Sequence, residues 1–227
     1  MATKMVARQR VGVYWTKVYV GRAGVCWAPM LPDGYTDVPA GRIAAVVTWL
    51  EMRAPAPPRP EVATPGWELR REVQADLAWY RDLFRRVGEP WLWFSRLKMP
   101  DRELVGILHD PRVEVYALWQ NGRAEGLMEL DFRESDACEL VFFGVTPALV
   151  GSGAGRWMMN RAIAFAWAKP IARFWVHTCT LDHPEAVTFY LRSGFTAIHR
   201  QIEIAPDPRL IGLAAPTAAP HAPVIAE

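Results

Sequence analysis

Between Cys138 and Trp167 the chain reads CELVFFGVTPALVGSGAGRWMMNRAIAFAW. An apolar run of strand length stops at Pro147, and Gly151, Gly153 and Gly155 follow on alternate positions. A long segment without a breaker comes next. That order allows few structures: a buried strand, a turn cleared of side chains, and a helix starting at once. Glycine is costly to order and is kept where the backbone needs φ > 0 or approaches something closely. A helix start presents unpaired N–H groups and the positive end of its dipole, so several amides can surround an anion. The natural guest is a phosphate or pyrophosphate. A merely flexible turn is the alternative, and it is commoner for one glycine than for three. A P-loop would need Gly-Lys-Ser/Thr, whereas Arg156-Trp157 follows Gly155. A dinucleotide fold joins strand to helix through GxGxxG; here the spacing is GxGxG, and Thr146 to Leu149 intervene.

The rest of the chain supplies a sheet for that helix. RIAAVVTWLEM, Arg42 to Met52, reads as a buried strand, and APAPPRP, Ala54 to Pro60, forbids regular structure. From Glu68 the pattern is helical, with Leu69, Val73, Leu77, Tyr80, Phe84 and Val87 on one stripe. Gly88 ends that helix, and Pro100-Asp101 opens a short one through about Leu108. Val113–Trp119 and Ala124–Phe132 are strands joined by the hairpin signal Asn121-Gly122, and Cys138–Thr146 is the next strand. After the glycine turn and its helix come a strand at Arg173–Thr180, a short helix at His183–Arg192 and a strand at Thr196–Ile204. The order predicts an α/β (α+β) architecture: one mixed central sheet of six to seven strands, with helices on both faces. Three regions are expected: a basic extension over 1–40, the folded domain over 41–204, and a Pro/Ala-rich tail over 205–227 on the surface or without order.

The 227 residues are 51% apolar, enough for a proper core. A net charge of +2 does not advertise nucleic-acid binding. The first 22 residues do carry five Lys or Arg and no acid, the pattern of a transit peptide, a loose arm or an ill-packed extension. Within them VGVYWTKVYV alternates like a strand, with no evident partner. No apolar run approaches the roughly 20 residues of a membrane span. Three scattered cysteines give no disulfide framework, which points to a reducing, cytoplasmic setting. The five histidines show no metal-ligand spacing, so no metal is expected.

ELVFFGVTPALVGSGAGRWMM resembles the central motif of the GNAT superfamily of acyl-CoA N-acyltransferases: a strand, a short loop, (Gln/Arg)-x-x-Gly-x-(Gly/Ala), then a helix. Val150 stands at the Gln/Arg place, Gly153 and Gly155 at the two glycine places. DHPEAVTFYLRSGF, Asp182 to Phe195, resembles the second signature, an Asn/Asp-x-x-x-Ala helix ending in Tyr-x-x-x-Gly-Phe. The resemblance spans roughly Arg42 to Ile204 and implies a V-shaped splay between the strand ending near Thr146 and the strand starting near Arg173. It implies acetyl-CoA as acyl donor. The pantetheine would pair with Phe143, Gly144 and Val145, and the pyrophosphate would meet Val150, Gly151, Ser152, Gly153, Ala154, Gly155 and Arg156, with Asp182 nearby. The departure is Val150, which cannot donate a side-chain hydrogen bond, so donor binding is expected to be weaker than usual.

Acyl transfer to an amine needs a neutral nucleophile, and an alkyl ammonium of pKa about 10.4 is protonated at neutral pH. A base must remove that proton. Glu139, alone among apolar neighbours, is the first candidate, and the resemblance gives a glutamate at this place the same role. A glutamate on the solvent face of a half-exposed strand is the alternative reading. Glu129 in GLMELDF is the reserve. The resemblance implies that the Phe143 N–H stabilises the oxyanion and that Tyr190 protonates the leaving thiolate; a core aromatic is the plain reading of Tyr190. Cys138 and Cys179 invite a covalent acyl-cysteine route, against which buried structural thiols stand.

Trp79 to Met99 reads WYRDLFRRVGEPWLWFSRLKM. Tyr80, Trp91 and Trp93 offer an aromatic wall, and Arg81, Arg85, Arg86 and Arg96 offer charge for an acceptor bearing a carboxylate. Core aromatics and solvated arginines are the plainer account. The expected partner is a small-molecule primary amine, with no nucleic acid and no membrane, the chain acting as a monomer or homodimer. Protein or peptide acetylation and a non-catalytic acyl-CoA-binding module are the competing readings.

Overall fold

The computed structural model describes residues 7–11, 14–18, 33–62 and 66–226. The chain divides into two units, Met1–Asp37 and Val38–Glu227. In the first, β1 (Ala7–Val11) and β2 (Tyr14–Val18) pair antiparallel, Ala7 facing Val18 and Val11 facing Tyr14. The single strand expected over VGVYWTKVYV is therefore the second arm of a hairpin, and its partner is the basic segment before it.

The second unit is built on one seven-stranded sheet. Its elements are β3 (Arg42–Met52), β4 (Glu68–Arg71), α1 (Leu77–Gly88), α2 (Ser95–Lys98) and α3 (Asp101–Leu108). Then come β5 (Val113–Gln120), β6 (Arg123–Asp131), β7 (Ala137–Val145), α4 (Ala154–Trp167), β8 (Arg173–Cys179), α5 (Ala186–Arg192) and β9 (Thr196–Pro206). The strand order is β4-β5-β6-β7-β8-β3-β9. Every neighbouring pair is antiparallel except β7 with β8. The expected mixed sheet with helices on both faces is present.

The helix expected from Glu68 starts nine residues later, at Leu77. Glu68–Arg71 is instead an edge strand, paired with Tyr116–Trp119. Asp76 then caps α1, its carboxylate accepting the Trp79 N–H at 2.8 Å. The part of the apolar stripe inside the helix holds: Tyr80, Phe84 and Val87 are buried, while Val73 is 75% exposed.

Two layers of core result. On one face α4 and α5 pack Trp157, Met158, Ala162 and Tyr190 onto Leu50, Met128, Leu130, Cys138, Leu140 and Phe174. On the other face α1 sets Tyr80, Leu83 and Phe84 against the sheet with no exposed surface, each such burial stabilising by about 1.5–3 kcal/mol. An irregularity separates the pairs Glu129–Phe142 and Leu130–Leu140. Val141 is the extra residue, so Glu139 and Phe142 share the α1 face although three positions apart.

Residues beyond β9, expected as a surface or disordered tail, form a tied loop. Arg209 pairs with Asp207 in a buried bridge of 2.7 Å and donates to the carbonyls of Ala218 and Ala222. Ala218 and Ala219 pack with Ile43, Leu92 and Ala205.

Candidate active site

β7 and β8 run together only over Ala137–Glu139 and Arg173–Trp175. Past Glu139 they part, and this is the expected splay. The antiparallel partner β6 satisfies alternate residues of Leu140–Val145; the others turn their N–H and C=O groups into the gap. Nothing bulky can enter at Gly144, where a Cβ would lie 2.8 Å from Val87 and 3.3 Å from Trp93. The gap therefore offers free backbone beside a wall of aromatic rings.

At its end, Pro147–Leu149 makes one 3-10 turn and α4 begins. Gly153 is the N-cap of α4 with φ 93°, a conformation that costs a non-glycine residue dearly, and Gly151 has φ 79°. Ser152 Oγ takes the Ala154 N–H at 3.2 Å. The amides of Gly155 and Arg156 belong to the first helical turn and have no intrahelical acceptor. Val150 is half exposed at the rim.

A strap formed by the proline-rich segment after β3 crosses this loop. The Arg59 N–H donates to Asn160 Oδ1 at 3.0 Å, and Asn160 Nδ2 donates back to the Arg59 carbonyl at 2.8 Å. Arg156 donates to the Pro60 carbonyl at 2.9 Å, and Glu61 pairs with Arg161 at 2.7 Å. A Val62 methyl would stand 2.8 Å from a Cβ at Gly153. The Arg59 guanidinium reaches over the Phe189 ring. Burial, then the charges of Arg156 and Arg192, hold its pKa below the ordinary value. Arg156 and, through the strap, Arg59 thus bring positive charge to the start of α4, and Arg192 is near enough to act on Arg59.

Glu139 lies on the α1 face, half-buried, with Oε1 3.6 Å from His177 Nδ1. Burial lowers the His177 pKa, Asp182 opposing it weakly, so His177 is held neutral. Beside them the Trp49 ring stacks on Trp175 at 5.1 Å and lies 5.1 Å from His177. Tyr190 is on the opposite face. Its ring stands edge-on to Phe189 at 5.5 Å, and Phe189 stacks on Phe143 at 5.9 Å, a chain of rings tying α5 to β7. Burial and then Asp182 push the Tyr190 phenol far above its usual pKa.

Other residues singled out in the sequence have different positions. Asp182 accepts from Trp93 Nε1 at 3.0 Å, Thr178 Oγ1 at 2.7 Å and the Cys179 N–H at 2.8 Å. It latches the α1–α2 connection to the end of β8, so its carboxylate is already engaged. Tyr80 and Glu129 have no exposed surface: Tyr80 donates to Glu129, and Glu129 pairs with Arg96. They brace α1 on the sheet rather than line an open wall. Trp93 packs at a tilt against Phe84 and Phe142, and Trp91 meets His183 and His221 edge-on or tilted. Three of the four arginines expected to greet a carboxylate are occupied, Arg81 by Asp101, Arg86 by Asp82 and Arg96 by Glu129. The Cys138 thiol is buried and Cys179 half-buried; desolvation raises Cys138 and pushes Cys179 up to about 12, which disfavours the thiolate an acyl-cysteine needs.

Trp49, Trp175, His177 and Arg59 are site residues that sequence reasoning missed. The first three alternate along strands, but only pairing brings β3 beside β8. Arg59 carried a signal in its proline-rich surroundings, which exclude both helix and strand. Among the described residues no group of three metal-ligating side chains comes together, and no helix is long and apolar enough to cross a membrane.

Comparison with known proteins agrees with this geometry. A structure from Staphylococcus epidermidis, a functionally unknown conserved protein, aligns with TM-score 0.53 at 13% identity, covering 74% of this chain and 63% of its own. A GNAT-family protein from Novosphingobium aromaticivorans gives 0.50 at 17%, covering 74% of this chain and 67% of its own. A GCN5-related N-acetyltransferase from Sphaerobacter thermophilus gives 0.52 at 12%, covering 71% and 51%. The chain spans under two thirds of the length of the first and third. At such identities these likenesses show the fold. No curated protein sequence matches the chain. The model of the acetyltransferase (GNAT) family matches residues 75–195, from just before α1 to the end of the Tyr-x-x-x-Gly-Phe signature. With more than half its length matched, and with the parted β7–β8 pair and glycine turn in place, the chain belongs to the GNAT family of acetyltransferases.

Proposed function

We propose that the protein transfers the acetyl group of acetyl-CoA directly to a small primary amine. The parting of β7 and β8 immediately before the glycine turn carries this reading. It leaves backbone groups free to pair with an extended pantetheine, and amides free for the pyrophosphate at its far end. Arg59 and Arg156 add charge for the phosphates there, in place of the side-chain donor missing at Val150.

Glu139 takes the proton from the acceptor ammonium. The amine nitrogen then attacks the thioester carbonyl carbon, the Phe143 N–H stabilises the oxyanion, and the C–N bond forms as the C–S bond breaks. Tyr190 protonates the departing thiolate; burial keeps its phenol protonated at neutral pH and also makes it a weaker acid than a free tyrosine.

The test is acetyl-CoA binding by calorimetry on the wild type and on Gly153→Glu, whose carboxylate would sit where the phosphates belong. Binding lost in the variant supports the reading. Absence of binding by the folded wild type overturns it.

A further inference from the structure

The acceptor side of this site is furnished by a strand that lies outside the family match. β3 precedes residue 75, yet it is hydrogen-bonded between β8 and β9. Directly opposed residues of neighbouring strands share a face. One row across the α1 face therefore runs Glu139, Trp175, Glu51 and Thr196, on β7, β8, β3 and β9. The adjoining row runs His177, Trp49 and His199.

Three buried polar atoms on these two rows have no hydrogen-bond partner: Glu51 Oε2, Trp175 Nε1 and His177 Nδ1. Trp175 is only 7% exposed, so its unmet N–H is a group that burial alone does not explain. Arg53 occupies Oε1 of Glu51 at 2.7 Å and leaves Oε2. The first row thus holds two carboxylates, Glu139 and Glu51, on either side of Trp175, and Trp49 from the adjoining row stacks on that indole. Glu203, opposite Ala45 on the same face, adds a further acid, and burial raises its pKa. Among the described residues, the basic groups on this face include Arg53, spent on Glu51, Arg173, which pairs with Glu134 and lies 5.4 Å from the Trp175 ring centroid, neutral His177, and His199.

We propose that this face binds an acceptor with two cationic groups, one amine reacting at Glu139 and a second held by Glu51. Two strand spacings separate the carboxylates, so the two nitrogens lie about 10 Å apart. The intervening chain crosses Trp49 and Trp175, whose ring faces attract cations and cover methylenes. A carboxylate at the far end meets Glu51 and is repelled. The inference rests on the acyl-transfer reading for the role of Glu139, but the site itself is a matter of binding.

Three acceptors of one chain length decide it: heptamethylenediamine, heptylamine and the ω-amino acid. With acetyl-CoA as donor, the diamine should show a KM about tenfold below that of the monoamine, with the amino acid poorest. Glu51→Gln should collapse the diamine preference to about twofold or less, and Trp49→Ala should weaken diamine binding more than Trp49→Phe. Equal KM values for all three, or a preference for the amino acid, overturn the proposal alone and leave acyl transfer standing. Calorimetric titration of the diamine separates the two readings. Binding that is lost in Glu51→Gln, with no amine acetylated, supports the site and sinks the transferase reading. No diamine binding by the wild type overturns the site.

Discussion

In the proposed reaction Glu139 is the one side chain that does chemistry in a strand otherwise devoted to packing. Its amide replacement, Glu139→Gln, should lower kcat by about 10²–10⁴ while acetyl-CoA still binds, as calorimetry beside steady-state rates will show. A lone carboxylate among apolar residues is rarely idle, and that is what singles Glu139 out in the sequence. Its face was not legible, because the extra residue at Val141 breaks the alternation from which a face is read. Glu129 shows the converse. It too stands among apolar residues, but Tyr80 and Arg96 have consumed it in the interior. Removing its charge with Glu129→Gln leaves Arg96 buried and unmatched, which should cost about 3–5 kcal/mol in urea unfolding. A loss below about 1 kcal/mol would mean that water reaches Arg96 after all.

His177 gives the pH dependence. Its folded pKa lies below the ordinary 6.5, so below pH 6.5 the unfolded chain takes up a proton that the folded chain refuses. The stability it contributes is complete above 6.5 and is lost as the pH falls through its folded value. Urea midpoints should therefore drop on acidification from 6.5, and His177→Gln should flatten that drop. Parallel wild-type and variant curves would contradict the lowered pKa of this imidazole.

At the scale of elements, the sequence showed most where local chemistry decides. Asn121-Gly122, the stop at Gly88 and the start of α4 all follow from turn and cap rules, and the strand Arg42–Met52 appears with the bounds its composition indicates. The start of α1 was misplaced because Leu69 and Val73 fit a helical stripe by spacing, while pairing with β5 draws Glu68–Arg71 into the sheet. The strap is held by Asn160 through two main-chain hydrogen bonds, and no local rule foretells a contact 101 residues away. If Arg59 attends the donor's phosphates, Arg59→Ala should weaken acetyl-CoA binding by about 3- to 10-fold and reduce its salt dependence. Unchanged affinity at low salt would remove Arg59 from the donor site.

For the whole molecule, the mixed layer architecture was legible from the alternation of strand and helix patterns, since one sheet must be covered on both faces. The sheet order was not. Which strand fills the place between β8 and β9 depends on pairing across more than a hundred residues, and no periodicity encodes it. The loop beyond β9 was hidden for another reason: a proline- and alanine-rich stretch lacks a pattern, but Arg209 gathers its carbonyls one by one.

Because β3 sits between two strands that follow it by more than a hundred residues, the sheet is sewn together from both ends of the domain. A chain cut in the turn before β4 would yield a short piece carrying Trp49, Glu51 and the strap, and a long piece carrying the family signatures. The long piece alone would have a slot in its sheet with unmet main-chain groups on both sides. Such a pair behaves as lock and key: the short piece, supplied as a separate peptide, should click into the slot, so that the sheet and the strap across the glycine turn are reassembled in one event.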